Sequence, residues 1–374
     1  MNTAGQQGSG RDRGKPRDLR SEAHLQGDSD TSNNRPPVPS SKPSRPGPSS
    51  GVRRFFRRRG VGDVYRLNDV EYRLDKKVGS GKGEAKGKSE AWRATQLGPN
   101  QRDVFLKIFQ SPKYPSDEER SQSENASNLL KRCNQFEARH RQVGQRLSRD
   151  RTGSGALVKP LSFGLPADSL SYVKVYPWVQ DAQIVTRDEV SEWSQGQRLI
   201  FLRTLMLAVW ELHSMGIVHG DIKPENILIA DMPVGKVARL IDFDEAFLAD
   251  SPPTSLDDAD FGTTLMTPEW KVLEDPDHWR SLRPLNLGTR SDLFQLAIVL
   301  ETVFGSGKPT WQILDGGDLS DHADFALAGA SAICCDLGLS LPRVKQLLES
   351  CLDRQPLRRP SVELILSTFG VTVQ

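Results

Sequence analysis

The sequence predicts an α+β fold of two lobes, a β-rich lobe followed by a mainly helical one, behind a disordered N-terminal tail. Three observations carry this. Residues 1–50 are Gly, Ser, Pro, Asn and charge with almost no large apolar side chain, too little apolar surface to offset the entropy of ordering. Next, residues 72–78, 90–95 and 104–109 read as strands, by their alternation of apolar and polar side chains. Beyond Arg187 the apolar period lengthens: Leu199, Leu202, Leu205, Met206, Val209, Leu212 and His213 recur at helical spacing, and residues 293–304 form an apolar helix candidate. Strands first and helices later suggest two lobes.

The length of 374 residues, with 36% hydrophobic and 26% charged side chains, fits one large two-lobed domain or two ordinary ones with a sizeable core. No run approaches the roughly 18 consecutive apolar residues of a membrane span, and the polar first 20 residues lack the apolar stretch of a secretory signal. The expected location is the cytoplasm, with nuclear or membrane-surface association left open. Cys133, Cys334, Cys335 and Cys351 form no C-x-x-C pair and have no His at zinc-finger spacing, so free thiols are expected rather than a disulfide framework or a structural metal.

The net charge of +2 averages two unlike regions. Residues 1–62 hold 13 Lys or Arg against 5 Asp or Glu and so carry +8, leaving −6 on the remainder. Within this tail, residues 35–50 are Pro-rich, which suits either a solvated tether or docking to a proline-reading domain. In VRRFFRRR, the arginines Arg53, Arg54, Arg57, Arg58 and Arg59 flank Phe55 and Phe56. That cluster suits an anionic surface or partner; packing on the acidic remainder or plain solvation is the competing reading. Nucleic acid fits its charge and stacking but is not the expected partner.

The strongest chemical signal is IVHGDIKPENILI, residues 217–229, followed by LIDFDEAF, residues 240–247. Two apolar strand-like segments bracket a polar turn offering Asp221, Lys223 and Asn226, with Asp242 after them. Phosphoryl transfer needs this set: oxygens to hold magnesium, a carboxylate to orient the attacking hydroxyl, and a cation for the charge on the group in transit.

These residues resemble the eukaryotic-type Ser/Thr protein kinase family, whose catalytic loop H-R-D-x-K-P-x-N and metal motif D-F-G match His219, Asp221, Lys223, Pro224, Asn226, Asp242 and Phe243. The resemblance covers about five sixths of the chain. It implies a protein-kinase-like fold with ATP and Mg2+ as cofactors and a protein substrate. It further implies that Asp221 orients the substrate hydroxyl, that Lys223 contacts the phosphate, and that Asn226 and Asp242 hold magnesium. On this reading the kinase domain spans 63–374, with an N-lobe over 63–181 and a C-lobe over 182–374, behind a tail over 1–62. The adenine is expected near residues 176–179.

Upstream, Gly79 and Gly81 follow a strand and let the backbone approach phosphates closely, as the family's Gly-rich loop does. Ser89 stands for the third glycine, and the lengthened loop adds Lys82, Lys86 and Lys88, either solvated or touching phosphates. Lys107 in VFLKIF fits the family lysine that pairs with the α and β phosphates and with a helix glutamate. Two candidates for that glutamate stay open. Glu137, the preferred one, shares a plausible helix with Leu129, Leu130, Cys133, Phe136, Val143 and Leu147 and leaves a more ordinary distance to the strand around Val158, although Arg141 falls where an apolar residue is usual; Glu124 is nearer the usual spacing from Lys107.

Further on, Gly262, Thr263, Thr267, Pro268 and Glu269 resemble the end of the family's activation segment. Asp292 fits the buried aspartate that supports the catalytic loop, and Arg359 fits the arginine that pairs with the glutamate at 269. Two departures stand out. Gly220 replaces the arginine that commonly binds a phosphorylated activation segment, so activity is not expected to require phosphorylation at Thr254, Ser255, Thr263 or Thr264. Asp244 replaces the last glycine of D-F-G, either as a tolerated substitution or with an effect on metal use or switching. Two competing functions remain at this point: a small-molecule kinase of the aminoglycoside or choline type, which shares H-G-D and I-D-F-D, and a pseudokinase scaffold that binds ATP without turnover.

Overall fold

The structure, a computed structural model, describes residues 60–78, 89–122, 124–149, 153–253, 287–304, 338–353 and 355–373, without the side chains of residues 122, 124, 301 and 302. The chain divides into two units, 1–52 and 53–374, and every described residue belongs to the second. The tail, the Arg53 to Arg59 cluster, Gly79, Gly81, Lys82, Lys86, Lys88, Cys334, Cys335 and the segment from Thr254 through Glu269 lie outside the described residues.

The fold is α+β, with a β-rich first part and a mainly helical second part. Six strands make one antiparallel sheet in the order β1-β2-β3-β4-β6-β5: β1 (Val64–Leu67), β2 (Val70–Val78), β3 (Ser89–Gln96), β4 (Arg102–Lys113), β5 (Ser162–Gly164) and β6 (Ser171–Pro177). Alternation places Leu74, Trp92, Ala94, Val104, Leu106 and Ile108 inside, where they pack with Val173 and Val175. The first strand is not foreseen in the sequence. It is joined to β2 through Asn68 and Asp69, whose φ angles of 50° and 63° are both left-handed, as a two-residue hairpin turn requires.

Strand β6 is buried on both faces apart from its last residue. Its Lys174 is therefore inside the protein, directly across from Lys107 of β4. Helix α1 (Asp117–Gln122) precedes α2 (Glu124–Leu147), which contacts β4. The buried face of α2 carries Cys133, Phe136, His140, Val143 and Leu147, at alternating steps of three and four residues. Cys133 and Phe136 pack there with Phe109 and Tyr172.

In the second part, β7 (Gln183–Ile184) and α3 (Arg187–Ser191) lead into α4 (Gln195–Ser214). Ser194 and Gln197 cap α4 reciprocally, which satisfies amide groups that a helix start leaves unpaired. Phe201, Leu202, Leu205, Met206, Val209 and Leu212 of this helix are buried. Strands β8 (Ile217–Val218), β9 (Ile227–Met232), β10 (Gly235–Leu240) and β11 (Phe247–Leu248) follow, then α5 (Thr289–Phe304), α6 (Leu341–Cys351) and α7 (Val362–Thr368). The β9–β10 hairpin pairs Ile227 with Leu240, and Ile241 N–H donates to the Asn226 carbonyl at 3.0 Å. That register brings the two polar motifs of the sequence side by side.

Among the described residues no helix is long and apolar enough to cross a membrane. Cys133 and Cys351 are buried and form no disulfide among the described residues, and burial pushes the Cys351 thiol up to about 12. Since the thiolate is the reactive form, iodoacetamide at pH 8 is expected to leave both unmodified in the native protein and to label them on unfolding. Labelling of Cys351 at a free-thiol rate in the folded chain would contradict this packing.

Candidate active site

The loop after β8 has few backbone partners of its own, so its amides must be satisfied by side chains. Two residues of α5 do this. Asp292, fully buried, accepts from the backbone N–H groups of His219 and Gly220, both at 2.8 Å, and contacts His213 Nε2 at 2.9 Å. One helical turn on, Gln295 accepts from Ile222 N–H and donates to the Gly220 carbonyl, both at 2.8 Å. His219 Nε2 lies 2.9 Å from the Ile241 carbonyl and ties the loop to the end of β10. Asp292 was expected to support this loop; Gln295 was missed, although a glutamine inside an otherwise apolar helix was a usable signal.

This support sets the Asp221 carboxylate. Its Oδ2 is 2.7 Å from Lys223 Nζ and accepts from Asn226 Nδ2 at 2.9 Å, while Asn226 Nδ2 also reaches the Asp221 carbonyl at 2.8 Å. A 3-10 turn, Pro224–Asn226, carries Asn226 back beneath Asp221. Burial works against the charge on Lys223, but Asp221, Asp242 and Glu225 together hold the ammonium above its ordinary range.

Asp242 follows β10 with φ 65°, a left-handed angle that Asp tolerates better than most side chains. Its two oxygens lie 2.8 and 2.9 Å from Lys107 Nζ. Lys107 also pairs with Asp244 Oδ2 at 2.5 Å. The helix glutamate expected for Lys107 does not take that place: Glu137 is paired with Arg141 at 2.8 Å and accepts from the Tyr172 hydroxyl at 3.3 Å. The reason lies in α2, where the inward position nearest the strands holds His140, and Arg141, one turn beyond Glu137, draws that carboxylate aside. Glu124, the other candidate, opens α2, and its side chain is outside the described residues.

Asp244 is therefore not an idle substitution. Its second oxygen is 3.1 Å from Lys174 Nζ, and Arg139 donates to its carbonyl at 3.2 Å. Lys174 donates further to the Phe243 carbonyl at 3.0 Å and lies 3.0 Å from His140 Nδ1, so each of its three protons has an acceptor. Burial opposes the charge on Lys107, yet Asp242 and Asp244 together raise it. Burial also lowers Lys174, with Asp244 opposing the shift. The two carboxylates diverge: burial and the charge of Asp244 push Asp242 up, whereas Asp244, against the same burial, is held well below its usual range by Lys107 and Lys174. His140 is driven down by burial and by Lys174, which leaves its Nδ1 an acceptor. Lys174 and His140 were missed in the sequence because neither belongs to a spaced motif.

The scaffold arginine Arg359 is fully buried. Its Nε donates to the Asp353 carbonyl at 2.8 Å and its Nη1 to the Arg290 carbonyl at 3.0 Å, with the guanidinium over Phe294. Its expected partner, Glu269, is outside the described residues.

Gly220, where an arginine was expected from the resemblance, has φ +79°, and a Cβ there would sit 2.9 Å from the Glu245 carbonyl oxygen. A side chain would meet both a left-handed backbone and a backbone atom. Gly220→Arg is expected to cost roughly 1–3 kcal/mol, seen as a lowered Tm in calorimetry, and to reduce activity without creating a phosphorylation switch. A Gly220→Arg chain as stable and active as the wild type would show that this loop relaxes freely.

The chain is 31% identical over 165 residues to the serine/threonine-protein kinase pkn2 of Myxococcus xanthus, covering 43% of this chain and 19% of that protein. It is 23% identical over 206 residues to the putative serine/threonine-protein kinase R436 of Acanthamoeba polyphaga mimivirus, covering 53% of this chain and 67% of that protein. A solved kinase-domain structure of Mycobacterium tuberculosis PknI aligns with a TM-score of 0.48 at 17% identity, over 83% of this chain and 97% of that one. The chain thus spans about a fifth of the Myxococcus relative. The model of the protein kinase domain matches residues 178–369, the stretch that holds Asp221, Asn226, Asp242, Asp292 and Arg359, and the chain belongs to the protein kinase family.

Proposed function

We propose that this chain transfers the terminal phosphate of ATP to serine and threonine hydroxyls of protein substrates, with residues 63–181 and 182–374 as its lobes. The observation that carries the reading is the Asp221 carboxylate, held by Lys223 at 2.7 Å and Asn226 at 2.9 Å on a loop suspended from Asp292. The names of the similar proteins supply the substrate class.

In this reading Asp221 accepts a hydrogen bond from the substrate hydroxyl and orients it for attack; Lys223, beside it, balances charge on the group in transit. Lys107 contacts the α and β phosphates. The oxygens of Asp242 and Asn226 are hard donors of the kind magnesium takes, so this donor set fits the ion; bound there, magnesium would neutralise phosphate charge. Gly79 and Gly81 would bring backbone amides to the phosphates, and the adenine would lie near residues 176–179. Glu137 is left without a part in the chemistry, since Arg141 and Tyr172 hold it.

The test is incubation of the wild type and Asp221→Ala with labelled ATP and magnesium, offering casein, a basic protein, aminoglycosides and amino alcohols. Label on serine or threonine that falls roughly a hundredfold or more in Asp221→Ala is the expected result. Label confined to a small molecule would move the assignment to that substrate class. ATP binding with no label anywhere would make the chain a scaffold, a reading favoured by the altered Gly-rich loop and by the pairing of Glu137 with Arg141 instead of Lys107.

A further inference from the structure

Lys107 and Lys174 are cross-strand partners on β4 and β6. Like charges directly opposite one another repel, and burial strengthens the repulsion. One carboxylate relieves it: Asp244 gives Oδ2 to Lys107 at 2.5 Å and Oδ1 to Lys174 at 3.1 Å. Lys174 is 2% exposed and has three acceptors, so it is fixed. Lys107, 14% exposed, faces the site on its other side through Asp242, itself 28% exposed.

We propose that Asp244 is a positioning residue that orients Lys107 for the nucleotide in place of a helix glutamate, and that Lys174 is the buried counter-cation that fixes Asp244. This rests on the kinase reading and deepens it. The two carboxylates on Lys107 have different duties. Asp242 is the metal candidate, and when its oxygens turn to a cation Lys107 keeps Asp244. A glycine at position 244 would remove the carboxylate shared by the two ammonium groups and leave only Asp242, on the far side of Lys107.

The experiment compares the wild type, Asp244→Asn, Lys174→Met and the double variant, all nucleotide-free, by thermal unfolding, and then by calorimetric titration with ATP in the absence of magnesium. Omitting the metal removes the part of Asp242 in metal binding from the readout. Asp244→Asn is expected to lower Tm by about 5 °C or more, because it takes the paired carboxylate from the buried Lys174 and one of two from Lys107, and to weaken ATP binding about tenfold. Adding Lys174→Met is expected to recover Tm but not ATP affinity. That split separates positioning from mere folding. Recovery of both by the double variant, or ATP binding by Asp244→Asn as tight as the wild type, would overturn the assignment. Phosphate transfer is read separately with Asp221→Ala. A wild type that binds ATP in an Asp244-dependent way yet transfers nothing would overturn the kinase reading and leave the positioning role standing; a wild type that binds no ATP would overturn both.

Discussion

Lys107 and Lys174 occupy the same register of two adjacent strands, and both end on the carboxylate of Asp244. Unpaired, a buried Lys174 ammonium facing the partly buried one of Lys107 would be among the costliest features a sheet can hold. The fold therefore depends on delivering one acidic side chain to this spot. It does so from the segment after β10, whose position is fixed by the β9–β10 register and by Ile241 against Asn226 and His219. The sheet, α2 and the metal-motif segment meet at Asp244, because Arg139 of α2 donates to its carbonyl and His140 lies against Lys174.

A second anchor, Asp292, acts on the other polar motif. Its carboxylate and the amide of Gln295 satisfy backbone groups at His219, Gly220 and Ile222. Those groups would otherwise be buried without partners, at about 1–3 kcal/mol each. The loop conformation this imposes needs a left-handed residue at Gly220 and leaves no room there for a Cβ beside Glu245. The absence of the arginine that the family carries there thus agrees with the backbone geometry.

Much of the site was legible because its chemistry demands particular atoms in a fixed order along one hairpin: Asp221, Lys223, Asn226 and Asp242 announce themselves by spacing. Strands β2, β3 and β4 and helix α4 were legible through their periods. Cross-strand partnership was not. Lys174 sits in a strand buried on both faces, where alternation vanishes and a lone lysine reads as an exposed charge. Glu137 looked like the partner of Lys107 because it leaves an ordinary distance to the strand around Val158. Sequence spacing does not show that Arg141 and Tyr172 claim it first. The turn at Asn68 and Asp69 carried β1 unrecognised, since β1 has only four residues and the turn's signal lies in φ angles rather than in a Gly.

The most direct test of this account is heteronuclear NMR of the lysine side-chain nitrogens in the nucleotide-free protein, with Lys107→Met and Lys174→Met used for assignment. Two protected ammonium signals are predicted, and both should shift or broaden in Asp244→Asn. A Lys174 signal that is unmoved by Asp244→Asn would contradict the shared carboxylate on which the rest of the argument stands.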